Sequence, residues 1–399
     1  MPRKVTEINQ KYLTKLKDLI LEPLDFKLLR SVDCDKLAKK VSKKTNTYIN
    51  GISFKRLYGF TKYPFNPAIQ TLDILCQFLG YRNWYEFELS MNINQPISSN
   101  ELDFLLSFYD FDLINHIEFH DGGIQSMSRK IALRFREDVT TFKRAISTLA
   151  KNKHAQIFFI EHFPDYDNLC NYYYLLYEEY LKQNENDTAQ LFGRSMLFLK
   201  AFWSLNEEDC KKHILEINRI KIGKDFHPFL IGRHFACNML FEFYYGEKRK
   251  VNQLCDEYFQ LRNQLPKKGK HFLDFPASEY IIAEALIHTQ SYDKCIEIVE
   301  LAFQDFPLKM EFVRKRYYRQ LQLFWMISKQ KLDSDFKFAS MLQKINPDNF
   351  YFISQKYFSV LYYYALYLEN RNSENLQIAK SLSDEIENRY LSECFLNEC

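Results

Sequence analysis

"AEALIHTQSYDKCIEIVELAFQDFP" (283–307) sets two apolar-striped stretches on either side of a short polar turn, QSYD (290–293). Apolar residues at helical spacing make each side an amphipathic helix. The stretch therefore reads as a helix pair, which cannot bury its apolar face alone and does so by stacking on further pairs. The same alternation recurs around NEND (184–187), NEED (206–209), GEKRK (246–250), LDSD (332–335) and NRNSEN (370–375). The later intervals are about 40 residues, within the range of helix-pair repeats.

Composition agrees with an all-α chain. In 399 residues there are 10 glycines and 11 prolines, and 46% of residues are hydrophobic. Strand–helix turns and hairpins both consume glycine, so so few breakers favour helices throughout. The 27 Tyr and 36 Phe are mostly core. Nine scattered cysteines with no C-x-x-C read as reduced thiols in a cytoplasmic protein. The opening residues contain no secretory signal, and no apolar run is long enough to cross a membrane. The charge is uneven: residues 1–95 hold 16 Lys and Arg against 9 Asp and Glu, a net +7, while the rest carries −4. A basic module followed by a mildly acidic body suits nucleic acid at one end.

Three segments follow. Residues 1–92 are a basic bundle of five short helices. Residues 93–165 form a linker, centred on MNINQPISSN (91–100), and a helical connecting region. Residues 166–399 hold the helix pairs. In the bundle, 9–20, 33–44, 53–60, 66–80 and 83–89 carry the apolar spacing, with Ser53 as the expected N-cap of the third helix and Gly80 as the stop of the fourth. Phe54 and Leu57 share a face, and Lys55 and Arg56 point elsewhere.

Residues 34–88 resemble a helix-turn-helix of the phage-repressor (Cro-like) kind. The resemblance rests on Leu37–Ala38 in a leading helix, SFKRL (53–57) as a recognition helix, Gly59, Pro67, and then Thr71, Leu72, Leu75, Leu79 and Gly80. Trp84 and Phe87 would close the core. The resemblance implies that Ser53, Lys55 and Arg56 face a major groove, where Arg or Lys reads guanine. Lys39, Lys40, Lys43, Lys44 and Lys62 would then neutralise phosphates. One departure stands out. TNTYINGI (45–52) makes a loop of about eight residues where three or four are usual.

The stretch 283–307 resembles a tetratricopeptide repeat, with Ala283 and Cys295 at the close crossing of its helices and Ala302 and Pro307 in the second helix. The other pairs keep the rhythm but not these positions. The expected fold is a small helix-turn-helix-like bundle followed by an α-solenoid of irregular helix pairs. Its groove would take a peptide or protein, with Tyr172, Tyr173, Tyr174, Tyr177, Tyr362, Tyr363 and Tyr364 as candidate rings.

No nucleotide-binding, zinc-protease or nucleophile-elbow motif occurs. His116 and His120, His234 with Cys237, and Cys394 with Cys399 each lack the further ligands a metal site needs. No cofactor and no enzymatic activity are expected. The leading expectation is a transcriptional regulator that binds double-stranded DNA, with a homodimer as one arrangement. The alternative is a non-enzymatic adaptor whose N-terminal bundle caps the repeat array.

Overall fold

The computed structural model describes residues 8–397 apart from 9, 22–23, 25, 27, 63–66, 82, 85–86, 88–96, 111–121, 265–276 and 306–311. Every described element is helical, so the chain is all-α. It divides into two compact units, Met1–Ile97 and Ser98–Cys399.

The first unit contains α1 (Gln10–Leu21), α2 (Asp33–Thr45), α3 (Gly51–Leu57) and α4 (Ile69–Phe78). Its core gathers Leu16, Ile20, Leu37, Val41, Phe54, Leu72, Leu75, Phe78, Trp84 and Phe87 into one cluster. A helix as short as α3 does not persist alone in water. It is held by Phe54, whose full burial contributes roughly 1.5–3 kcal/mol. It is also held by a close approach at Gly51, where a Cβ would stand 1.9 Å from Asp35 Oδ1. Asp33 accepts the backbone N–H groups of Leu29 and Arg30 at 3.2 and 2.8 Å. The Arg30 amide, foremost, holds that carboxyl below its usual range. Gly80 ends α4 as expected. At φ +99° it lets Tyr81 N–H reach Cys76 O and Gly80 N–H reach Gln77 O, a Schellman closure.

The start of α3 differs from the expectation. The helix begins at Gly51, and its N-cap is Asn50, whose Oδ1 accepts Ile52 N–H at 3.0 Å. Ser53 instead lies within the first turn. The loop after α2 is correspondingly short, residues 46–50, and Asn46 takes the left-handed conformation that ends α2.

The second unit opens with α5 (Ser99–Ser107), α6 (Gly122–Glu137) and α7 (Val139–Lys151). Two π-helical turns, Gln156–Glu161 and Leu169–Tyr173, lead into α8 (Tyr174–Lys182). Then come α9 (Asp187–Trp203), α10 (Glu207–Arg219), α11 (Pro228–Tyr244), α12 (Lys250–Gln264), α13 (Ala277–His288), α14 (Tyr292–Asp305), α15 (Phe312–Leu332), α16 (Gln355–Asn370) and α17 (Ser373–Glu385). Neighbours pair along the chain, α9 on α10, α11 on α12, α13 on α14 and α16 on α17. Helices α9, α11, α13 and α15 each pack on the next, so the pairs stack like a solenoid. At the crossing of α13 and α14, Ala283 and Cys295 are fully buried and the Cys295 thiol donates to Ala283 O at 3.6 Å. Pro307 lies outside the described residues.

The ladder of α9, α11 and α13 is covered by the chain itself. Tyr357 of α16 stacks on Trp203 with ring centres 5.3 Å apart, and its hydroxyl lies 2.9 Å from His288 Nε2. The hydroxyls of Tyr244 and Tyr390 meet at 2.9 Å, both within reach of His288 O. Asp167 caps α16 from a distance, accepting Lys356 N–H at 3.2 Å and Tyr357 N–H at 3.1 Å. Arg136 joins Asp165 and Asp167, each at 3.3 Å, and also donates to Phe352 O.

Candidate functional site

The basic residues of the first unit sit on α2, α3 and the turn beyond. Core residues Cys34, Leu37, Ala38 and Val41 fix the inward face of α2. Lys39, Lys43 and Lys44 are exposed, and Lys40 is half-buried. Lys39 and Lys43 are four apart and share one stripe. Lys44 leans the other way, its Nζ 5.0 Å from the centre of the Phe78 ring. Lys62, after α3, is exposed.

On α3, Phe54 points into the core, which places Ile52 and Arg56, four apart, on the outward side. Both are exposed, Ile52 at 48%. Ser53 is half-buried beside them. Lys55 points toward α2, where its Nζ meets Asp35 Oδ2 at 2.9 Å. This contact ties the two helices together and offsets the charge of Lys55. The outward pair on α3 is thus Ile52 and Arg56, whereas Ser53, Lys55 and Arg56 were the sequence candidates. Ile52 escapes a reading that starts the helix at Ser53, two residues late. Once α3 begins at Gly51, the four-residue spacing to Arg56, opposite Phe54, reveals it.

The loop also exposes Tyr48, at 81%. Polar side chains at the end of α2 and in the loop bond to the backbone. Thr45 Oγ1 donates to Val41 O at 3.0 Å, Thr47 Oγ1 donates to Thr45 O at 3.3 Å, and Asn50 caps α3.

In the second unit the candidate rings divide. Tyr172, Tyr173, Tyr177 and Tyr364 are buried, while Tyr174, Tyr362 and Tyr363 are half-buried. Phe142 stacks on Tyr173, and Phe395 packs on Tyr364, so these rings fill the interior. His234 and Cys237 lie inside α11. Burial lowers the imidazole pKa to about 4 and pushes the thiol up to about 12. Among the described residues no three His, Cys, Asp or Glu side chains converge as a metal site would require. His116, His120 and Cys399 lie outside the described residues. The described cysteines are free, and all but Cys394 are buried. No described helix is long and apolar enough to cross a membrane. Comparison of the chain with protein-family models, curated proteins and solved structures found no match.

Proposed function

We propose that the protein is a DNA-binding transcriptional regulator whose first unit meets the duplex through α2 and α3, and whose repeat body takes a peptide or protein effector. The observation that carries this reading is the outward face of α3. Arg56 and Ile52 stand opposite the buried Phe54, with the exposed cations of α2 on the neighbouring helix. An Arg on an outward helix face suits guanine, and an apolar neighbour suits a thymine methyl. Lys39, Lys43, Lys44 and Lys62 suit phosphates, which position the protein without reading sequence. The five-residue loop brings α2 and α3 nearer to the short turn of a helix-turn-helix than the sequence suggested. Lys55, engaged with Asp35, acts in this reading as a strut that orients α3. In the body, the C-terminal helices occupy the α9–α11–α13 face, so an effector engages another surface or displaces them.

The exposed apolar residues Tyr48, Ile52 and Phe60 favour a second reading, a non-enzymatic adaptor in which this face meets a protein.

Selection of bound sequences from random duplex DNA, followed by binding of variants over a salt series, separates the two. Arg56→Ala should cost about 1–3 kcal/mol on the selected site and little on random duplex. Lys43→Ala should weaken both and lower the salt slope by about one. Folded variants that bind both DNAs like the parent would remove this face as the reader. Failure to select any site would favour the adaptor.

A further inference from the structure

A cavity of about 270 Å³ opens between α8, α9 and α10 in the second unit. Each helix contributes one stripe at helical spacing, such as Tyr174 and Glu178 on α8, Arg194 and Leu197 on α9, and Asp209 and His213 on α10. The α9 stripe lies on the opposite side of that helix from Phe202 and Trp203, which meet the C-terminal segment. The cavity is therefore separate from the covered ladder.

Its walls are rich in cations. Arg194, Lys200 and Lys212 line it and form no ion pair among the described residues. Lys182 also lines it but pairs with Glu179 at 2.9 Å. Glu178 and Asp209 offset part of this charge. Two polar nitrogens are stranded here. Arg194 Nε and His213 Nδ1 are shielded from solvent without a hydrogen-bond partner, and His213 as a whole is only 7% exposed. A buried polar atom left unpaired is destabilising. Burial, chiefly, and then the Arg194 charge lower the His213 pKa to about 4, so the ring is neutral near pH 7. A neutral ring protonated at Nδ1 donates to an oxygen. Lys200 already lies 5.0 Å from the Tyr174 ring centre, which steadies its ammonium at the cavity wall.

We propose that this cavity binds a small anionic molecule through phosphate or carboxylate oxygens, which accept from Arg194 and His213 and are neutralised by Lys200 and Lys212. Leu197 and Ala201 supply an apolar wall for the rest of the ligand. The size lies near the lower limit of small-molecule pockets, about 300 Å³, so the ligand is compact. The proposal stands independently of whether the first unit binds DNA.

The test is calorimetric titration of the full chain with inorganic pyrophosphate and, separately, with citrate, at matched ionic strength. One anion should saturate at a single site, and which one does so distinguishes a phosphate from a polycarboxylate ligand. Arg194→Gln and His213→Gln should each weaken binding by about tenfold, equivalent to 1.4 kcal/mol. Lys211→Gln should bind like the parent, since Lys211 pairs with Glu207 outside the cavity. Arg194→Lys, which keeps the charge but loses Nε, serves if the glutamine variant does not fold, and should also bind more weakly. The proposal is overturned if neither anion saturates at millimolar concentration. It is equally overturned if the folded Arg194 and His213 variants bind as the parent does.

Discussion

Asp165 is 1% exposed, and its Oδ1 finds no hydrogen-bond partner among the described residues, while Oδ2 takes Asn168 Nδ2–H at 2.9 Å and faces Arg136. Burial pushes its carboxyl up to about 7, against the pull of Arg136 and with the added push of Asp167. The folded state therefore holds a proton that an unfolded chain, with a carboxyl near 3.8, releases. The stabilisation this gives is full below about pH 4 and is lost as pH rises toward 7. Thermal melts of the parent and of Asp165→Asn from pH 4 to 8 measure it. The stability difference should move in the variant's favour as pH rises, by at most about 1.4 kcal/mol per pH unit, and level off above pH 7. A difference independent of pH would mean that Asp165 stays ionised. None of this could be read from FPDYDN (163–168), because the burial comes from partners on α6 and before α16.

At the scale of the element, α3 shows where reading by residue type succeeds and where it stops. Phe54 and its inward face followed from spacing alone. The start did not, because Ser53 precedes an apolar residue and has the chemistry of a cap, while Gly51 looked like part of a loop. Tertiary packing decided the matter. α2 and α3 approach closely at Gly51, where a Cβ would crowd the Asp35 side chain and stand 3.2 Å from its Cα, and the first turn starts there with Asn50 as the cap. The partner of Lys55 was hidden for the same reason, since Asp35 lies 20 positions earlier. Asn50→Ala should lower stability by about 1 kcal/mol, the usual loss for a cap. Ser53→Ala should stay within about 0.5 kcal/mol, as expected of a substitution away from such features. Denaturant midpoints of the two variants check this, and a larger loss at Ser53 would restore it as the cap.

The whole molecule is two units, and the first has the means to stand by itself. Among the described residues its core gathers Leu37, Phe54, Leu75, Phe78 and Trp84 into one cluster that lies within residues 8–87. Residues 1–97 expressed alone should melt cooperatively by circular dichroism. The stability should be only a few kcal/mol, because domains this small bury a modest share of their surface. A fragment that remains disordered would show that it borrows its order. The helix-pair rhythm of the second unit was legible because each pair is local in sequence. The covering of α9, α11 and α13 was not, because it joins residues far apart that no spacing rule connects.

The remote cap on α16 has a consequence for synthesis. Asp167 receives Tyr357 N–H from 190 positions later. At about 5–20 residues per second, a ribosome needs roughly ten to forty seconds to make that interval. Trp203 likewise precedes Tyr357, and Tyr244 precedes Tyr390, so each ring is made well before the one that covers it. The final packing of the body therefore waits until residues 353–397 have emerged, and until then the rings they cover are open to solvent.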